Sequence, residues 1–115
     1  MSAFLVFSTA PTRAAAEKMV RVLLNKRLAA CAHVAPIGKS HYWWRGRLEH
    51  TREIVLTFKT SKKALPSLMQ TLKKIHPYEM PEILAVRVDD GHPAYLKWLT
   101  SETENCHPLI TLTRS

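Results

Sequence analysis

Two prolines four positions apart, Pro77 and Pro81, bracket the stretch His76-Pro77-Tyr78-Glu79-Met80-Pro81-Glu82-Ile83, and no other segment of the 115-residue chain limits its fold so tightly. Each proline fixes its own φ and pushes the residue before it away from helical geometry. A helix arriving over Leu65–Ile75 must therefore stop here, and a strand can begin by Ile83. The octet holds three side chains able to bind a proton or a metal, His76, Glu79 and Glu82, beside the phenol of Tyr78. Stiff connections without regular hydrogen bonding are common places for function. The competing reading is a rigid helix-to-strand joint whose polar groups satisfy nearby backbone.

Upstream, Ala3–Phe7 is continuously apolar and short, as a strand buried on both faces should be. Thr12 suits an N-cap, and Ala16, Met19, Val20 and Leu23 recur at helical spacing up to Lys26-Arg27. Leu28–Val34 reads as a strand with Ala30, Ala32 and Val34 on one face and Ala29, Cys31 and His33 on the other. Pro36 and Gly38 mark a bend or bulge, after which strand character returns at Ser40–Trp44. Arg45-Gly46 predicts a tight turn into a return strand over Leu48–Thr60, where Ile54, Leu56 and Phe58 alternate with Val55, Thr57 and Lys59. A second helix begins near Ala64, with Leu65, Leu68, Met69, Leu72 and Ile75 on one face and Pro66 in its first turns. Leu84, Val86 and Val88 alternate in a last core strand over Glu82–Val88. Pro93 opens a third helix whose buried side is expected to be Tyr95, Trp98 and Leu99, and Leu109–Leu112 is a candidate edge strand.

Strand–helix–strand–strand–helix–strand is the order of an α+β, ferredoxin-like βαββαβ sandwich, here with a long hairpin between its second and third strands and an additional C-terminal helix. One domain over residues 1–115, ending in a tail from 102, fits this length. Two helices cover one sheet face only, so Val55 and its neighbours on the other face need a cover of their own. Cys31 to Trp44 would span roughly 45 Å if extended, whereas a domain of this size is about 35 Å across. Part of the hairpin, tipped by Tyr42, Trp43 and Trp44, must overhang the core, and exposed aromatic edges of this kind find a partner chain. The residues thus point to a homo-oligomer.

An apolar fraction of 46% and a charged fraction of 23% are ordinary for a globular protein, and no apolar run reaches the roughly 20 residues of a membrane span. The Ala3–Phe7 run has no basic residue before it, so no signal peptide is expected. Cys31 and Cys106 form no Cys-x-x-Cys pair, which predicts reduced thiols and a cytoplasmic protein. The formal charge of +8 is spread along the chain and reads as solvated surface. RNA-recognition modules share this topology, but their third strand carries a basic-Gly-aromatic signature; Leu48–Thr60 has Phe58 alone and no glycine, so no specific nucleic-acid partner is expected. With only Gly38, Gly46 and Gly91 there is no Gly-rich phosphate loop, and no Ser–His–acid set stands out, so no enzyme is expected.

Several stretches together resemble the CutA divalent-cation tolerance family: Thr9-Ala10-Pro11, Leu28-Ala29-Ala30-Cys31, Ser40-His41-Tyr42-Trp43-Trp44-Arg45-Gly46, Phe58-Lys59-Thr60, the octet from His76 to Ile83, and Tyr95-Leu96-Lys97-Trp98-Leu99. The resemblance reaches to about Ser101. It implies a compact homotrimer of ferredoxin-like subunits built through hairpin arms and sheets, and a role in tolerance of divalent metals, chiefly copper, without catalytic chemistry. The chain departs from the family at His33, where Asn is usual, and in the tail from Glu102 to Ser115 with Cys106-His107.

On this basis the candidate metal ligands are Cys31, His76 and Glu79, a thiolate, an imidazole and a carboxylate that suit copper or zinc. Cys31, in a strand of small residues, is equally readable as a small buried hydrophobe. Tyr42, Trp43 and Trp44 are the expected oligomer contacts. A third reading, a small-molecule sensor, would use Arg52, Lys59 and Arg87 as anion contacts in clefts between subunits. His33, His41, His50, His92 and His107 show no spacing partner and read as surface or turn residues.

Overall fold

In the computed structural model, which describes residues 2–106, the chain runs β1 (Ala3–Ala10), α1 (Arg13–Asn25), β2 (Cys31–Val34), β3 (Gly38–Trp44), β4 (Arg47–Ser61), α2 (Leu65–Ile75), β5 (Leu84–Val88) and α3 (Pro93–Glu102). The candidate strand Leu109–Leu112 and His107 lie outside the described residues. The strands form one antiparallel sheet in the order β2-β4-β1-β5, with β3 also paired to β4. This is the ferredoxin-like arrangement, with its second strand split into β2 and β3. Val34 opposes Leu56 and Gly38 opposes Glu53, so Ala35-Pro36-Ile37 face only Ile54 and Val55. The extra residue is the bulge that Pro36 and Gly38 predicted.

Even-numbered residues of β1 and β4 face the helices. Val6, Ile54, Leu56 and Phe58 pack against Ala16, Met19 and Leu23 of α1 and Leu68 and Leu72 of α2, all at most 2% exposed. Thr12 Oγ1 caps α1 by accepting from the Ala15 N–H at 3.1 Å. The helix closes with two backbone bonds, Leu28 N–H to the Leu23 carbonyl (2.9 Å) and Arg27 N–H to the Leu24 carbonyl (3.0 Å). This motif places Arg27 in the left-handed region at φ 55°, a position usually given to glycine. Its guanidinium Nη1 is held at 3.0 Å by Glu102 Oε1 and at 3.2 Å by the Glu102 carbonyl. The turn uses up Leu28 and Ala29, which are buried but not laddered, so the strand expected from Leu28 begins at Cys31.

Two further expectations change. The last strand is an edge strand whose Leu84 and Val86 are 57% and 48% exposed, because alternation marks two faces without saying which one the helices cover. In α3 only Leu99 is buried, and Tyr95 and Trp98 are exposed with their ring centres 5.4 Å apart. Lys59 donates to Tyr95 Oη and Ser61 is bonded to Thr103 Oγ1, and both strand residues lie opposite the core-facing set. The third helix therefore covers one end of the sheet face that α1 and α2 leave free, and Val55, Leu84 and Val86 stay uncovered on it.

From Ile54 to Ser61, β4 pairs with β1; from Arg47 to Glu53 it pairs with β3 alone. That outer part is an arm closed by a two-residue turn with Arg45 at φ 52° and Gly46 at φ 78°, the paired positive values of a type I′ hairpin. The longest dimension of the molecule is 43 Å, against about 35 Å for a compact domain of this length. No helix among the described residues is long and apolar enough to cross a membrane.

Candidate functional site

Once β1 ends at Ala10 opposite Ile54, the flank of β4 beyond it is free, and the proline-braced octet lies against it. Pro77 follows the last helical turn of α2, where His76 already has extended geometry with ψ 136°. The His76 side chain turns back to β1: Nε2–H donates to the Thr9 carbonyl at 2.7 Å, and Nδ1 accepts from the Tyr78 backbone N–H at 3.0 Å. Those two bonds define a neutral imidazole protonated on Nε2. At 8% exposure the ring is buried, and this desolvation lowers its pKa below the usual histidine value of 6.5 despite the Thr9 carbonyl.

Tyr78 is the second anchor. Its phenol donates to Glu53 Oε2 at 2.8 Å, tying the octet to the base of the arm. Burial, reinforced by the Glu53 carboxylate, pushes the phenol pKa up, so Tyr78 stays a hydrogen-bond donor. Between arm and octet is an open cleft of about 790 Å³ with Tyr42, Trp44 and Tyr78 as aromatic walls, Glu53 and Glu79 as carboxylates, and Met80 at its edge. Arg45 leans over the Trp44 ring, 5.4 Å from its centre. Aromatic faces beside carboxylates suit a flat or cationic organic group. Arg45 also lines the cleft, one guanidinium against the two carboxylates.

The candidate metal ligands are not assembled within one chain. Cys31 is half-buried in β2 opposite Lys59, on the sheet face away from α1 and α2. His76 is bonded at Thr9, which pairs with Val55, about 13 Å further along β4 than Lys59. Both of its nitrogens are already occupied, while Glu79 is exposed at the cleft. Among the described residues no group of three or more His, Cys, Asp and Glu side chains comes close enough to hold a metal ion. Nor do the three candidate anion contacts converge. Lys59 lies on the free sheet face, where its ammonium donates to Tyr95 Oη at 3.2 Å, a contact that raises its pKa. Arg52 is exposed on the opposite face of β4, and Arg87 pairs with Phe4 at the edge strand. Of the aromatic trio, Tyr42 and Trp44 line the cleft, whereas Trp43 points to the other face of the arm and is 73% exposed.

Glu53 escaped the sequence reading, because its role comes from a long-range contact that no local pattern carries. The opposition of His41 and His50 could have been found: each stands four residues outside the two-residue turn Arg45-Gly46, which sets the register of the arm.

Comparison with known proteins follows the same outline. The family model described as "CutA1 divalent ion tolerance protein" matches residues 4–102. The divalent-cation tolerance protein CutA of Pyrococcus horikoshii is 39% identical over 100 residues, covering 87% of this chain and 97% of that protein. Protein CutA of Mus musculus is 36% identical over 99 residues, and there the chain spans only 56% of the relative's length. The crystal structure of CutA from Xylella fastidiosa superposes with a TM-score of 0.84 at 42% identity, covering 88% of this chain and 97% of that one.

Proposed function

This chain belongs to the CutA1 divalent ion tolerance family, and from that premise we propose that it works as a homotrimer in the handling of divalent metal ions, with copper as the first metal to test. The observation that carries the trimer is the uncovered sheet face. Val55 on β4 and Leu84 and Val86 on β5, on the same sheet face to either side of β1, are 44%, 57% and 48% exposed; among the described residues β5 has no strand on its outer edge, and an arm projects past the core. Apolar area of this kind on an edge is buried in an assembly or leads to aggregation. The metal reading is supported by the names its relatives carry, divalent-cation tolerance proteins, and by residue chemistry. One chain keeps Cys31, His76 and Glu79 apart, so they enter this reading only as groups that separate chains bring together.

Tolerance is tested in cells. Removing the chain from its source organism is expected to lower the copper concentration at which growth stops, and restoring the wild-type chain is expected to recover it. Unchanged tolerance to copper, zinc and nickel after removal would sink the proposal.

The cleft favours a second reading, a trimer that senses a small molecule. Its aromatic walls and two carboxylates, against the single guanidinium of Arg45, support an organic cation over an anion. Saturable binding of such a cation, weakened by Glu79→Gln, would favour this reading over metal handling.

A further inference from the structure

The face of the arm that turns away from the cleft carries three cross-strand pairs: Lys39 with Arg52, His41 with His50, and Trp43 with Leu48. The middle pair is two exposed imidazoles with ring centres 5.8 Å apart and planes tilted by 47°. The turn fixes this opposition. In a two-residue hairpin the residues flanking the turn, Trp44 and Arg47, form a hydrogen-bonded pair, and pair types alternate outward from it. His41 and His50 then fall on a non-hydrogen-bonded pair, the type in which opposed side chains stand closest.

We propose that His41 and His50 chelate a divalent transition-metal ion, the cupric ion before nickel and zinc. Metal–nitrogen bonds of about 2.0 Å, with each ring centre roughly 1 Å behind its nitrogen, put two imidazoles on one ion with centres about 5 Å apart. Closing 5.8 Å to that distance takes only small χ rotations of exposed side chains. Imidazole is a borderline donor that suits copper, nickel and zinc, and affinity rises to copper along the divalent series. Among the described residues no carboxylate or thiol shares this face, so water completes the coordination, and the Lys39 and Arg52 cations keep the affinity modest. Both ligands come from strands of one hairpin, so a bound ion staples the arm.

The inference rests on the register of the arm and not on the family reading: a chain that binds copper here without affecting metal tolerance would leave it standing. The test uses the full chain with cupric ion, read by competition titration and by electron paramagnetic resonance. Wild type should show nitrogen coupling from two imidazoles. His41→Gln and His50→Gln should each weaken binding by at least about tenfold, and the double substitution should cost less than the two single losses added, because the chelate contribution is lost once. His33→Gln, at an exposed histidine of β2 outside the arm, should change nothing. Wild-type affinity and nitrogen coupling in either arm variant, or losses that simply add in the double variant, would overturn the proposal. The Gln side chains are exposed and polar, and a metal-induced rise in melting temperature, present in wild type and absent in both arm variants, gives an independent reading.

Discussion

Within its own chain His76 serves as a strut. Its ring joins β1 to the start of the octet through the Thr9 carbonyl and the Tyr78 N–H, and burial favours the neutral form. Protonation would place a second ring N–H at Nδ1, facing the Tyr78 N–H that it now accepts. A histidine whose folded pKa lies below its unfolded value binds the proton more readily when unfolded, so its contribution to stability is fully present above about pH 6.5. That contribution is lost as the pH falls from 6.5 through the lowered folded value. Urea midpoints should therefore drop between pH 7.5 and 5.5. In His76→Gln this part of the slope should vanish, with a loss of about 1–3 kcal/mol at neutral pH from the broken buried bonds. Equal pH slopes in the two proteins would contradict the assignment.

At the scale of elements, the arm and the octet act together, although each was readable on its own. The prolines place the end of α2 and the Arg45-Gly46 turn places the arm, because both act through local backbone geometry. The same turn makes the His41–His50 pair legible. The cleft was not legible, because it depends on Tyr78 reaching Glu53 across 25 residues of sequence. The exposure of Tyr95, Trp98, Leu84 and Val86 was hidden for another reason: apolar spacing says that a face seeks cover, not that its own chain supplies it. The Tyr78–Glu53 bond makes its own prediction. Tyr78→Phe removes one hydrogen bond to a carboxylate at a half-buried site and should cost about 1 kcal/mol in urea unfolding. Glu53→Gln in the same background should then cost little more, since the partner is already gone. Unchanged stability in Tyr78→Phe would mean that the octet is held by His76 alone.

Among the described residues, the helices α1 and α2 finish one face of the sheet and α3 covers one end of the other, leaving exposed apolar side chains, an open sheet edge and a projecting arm. The proposed trimer accounts for all three with one kind of contact. The mass of the full-length protein at micromolar concentration, by light scattering or sedimentation equilibrium, tests this most directly. The account predicts three times the 13.1 kDa of the chain. A well-folded species of 13.1 kDa at that concentration would contradict it.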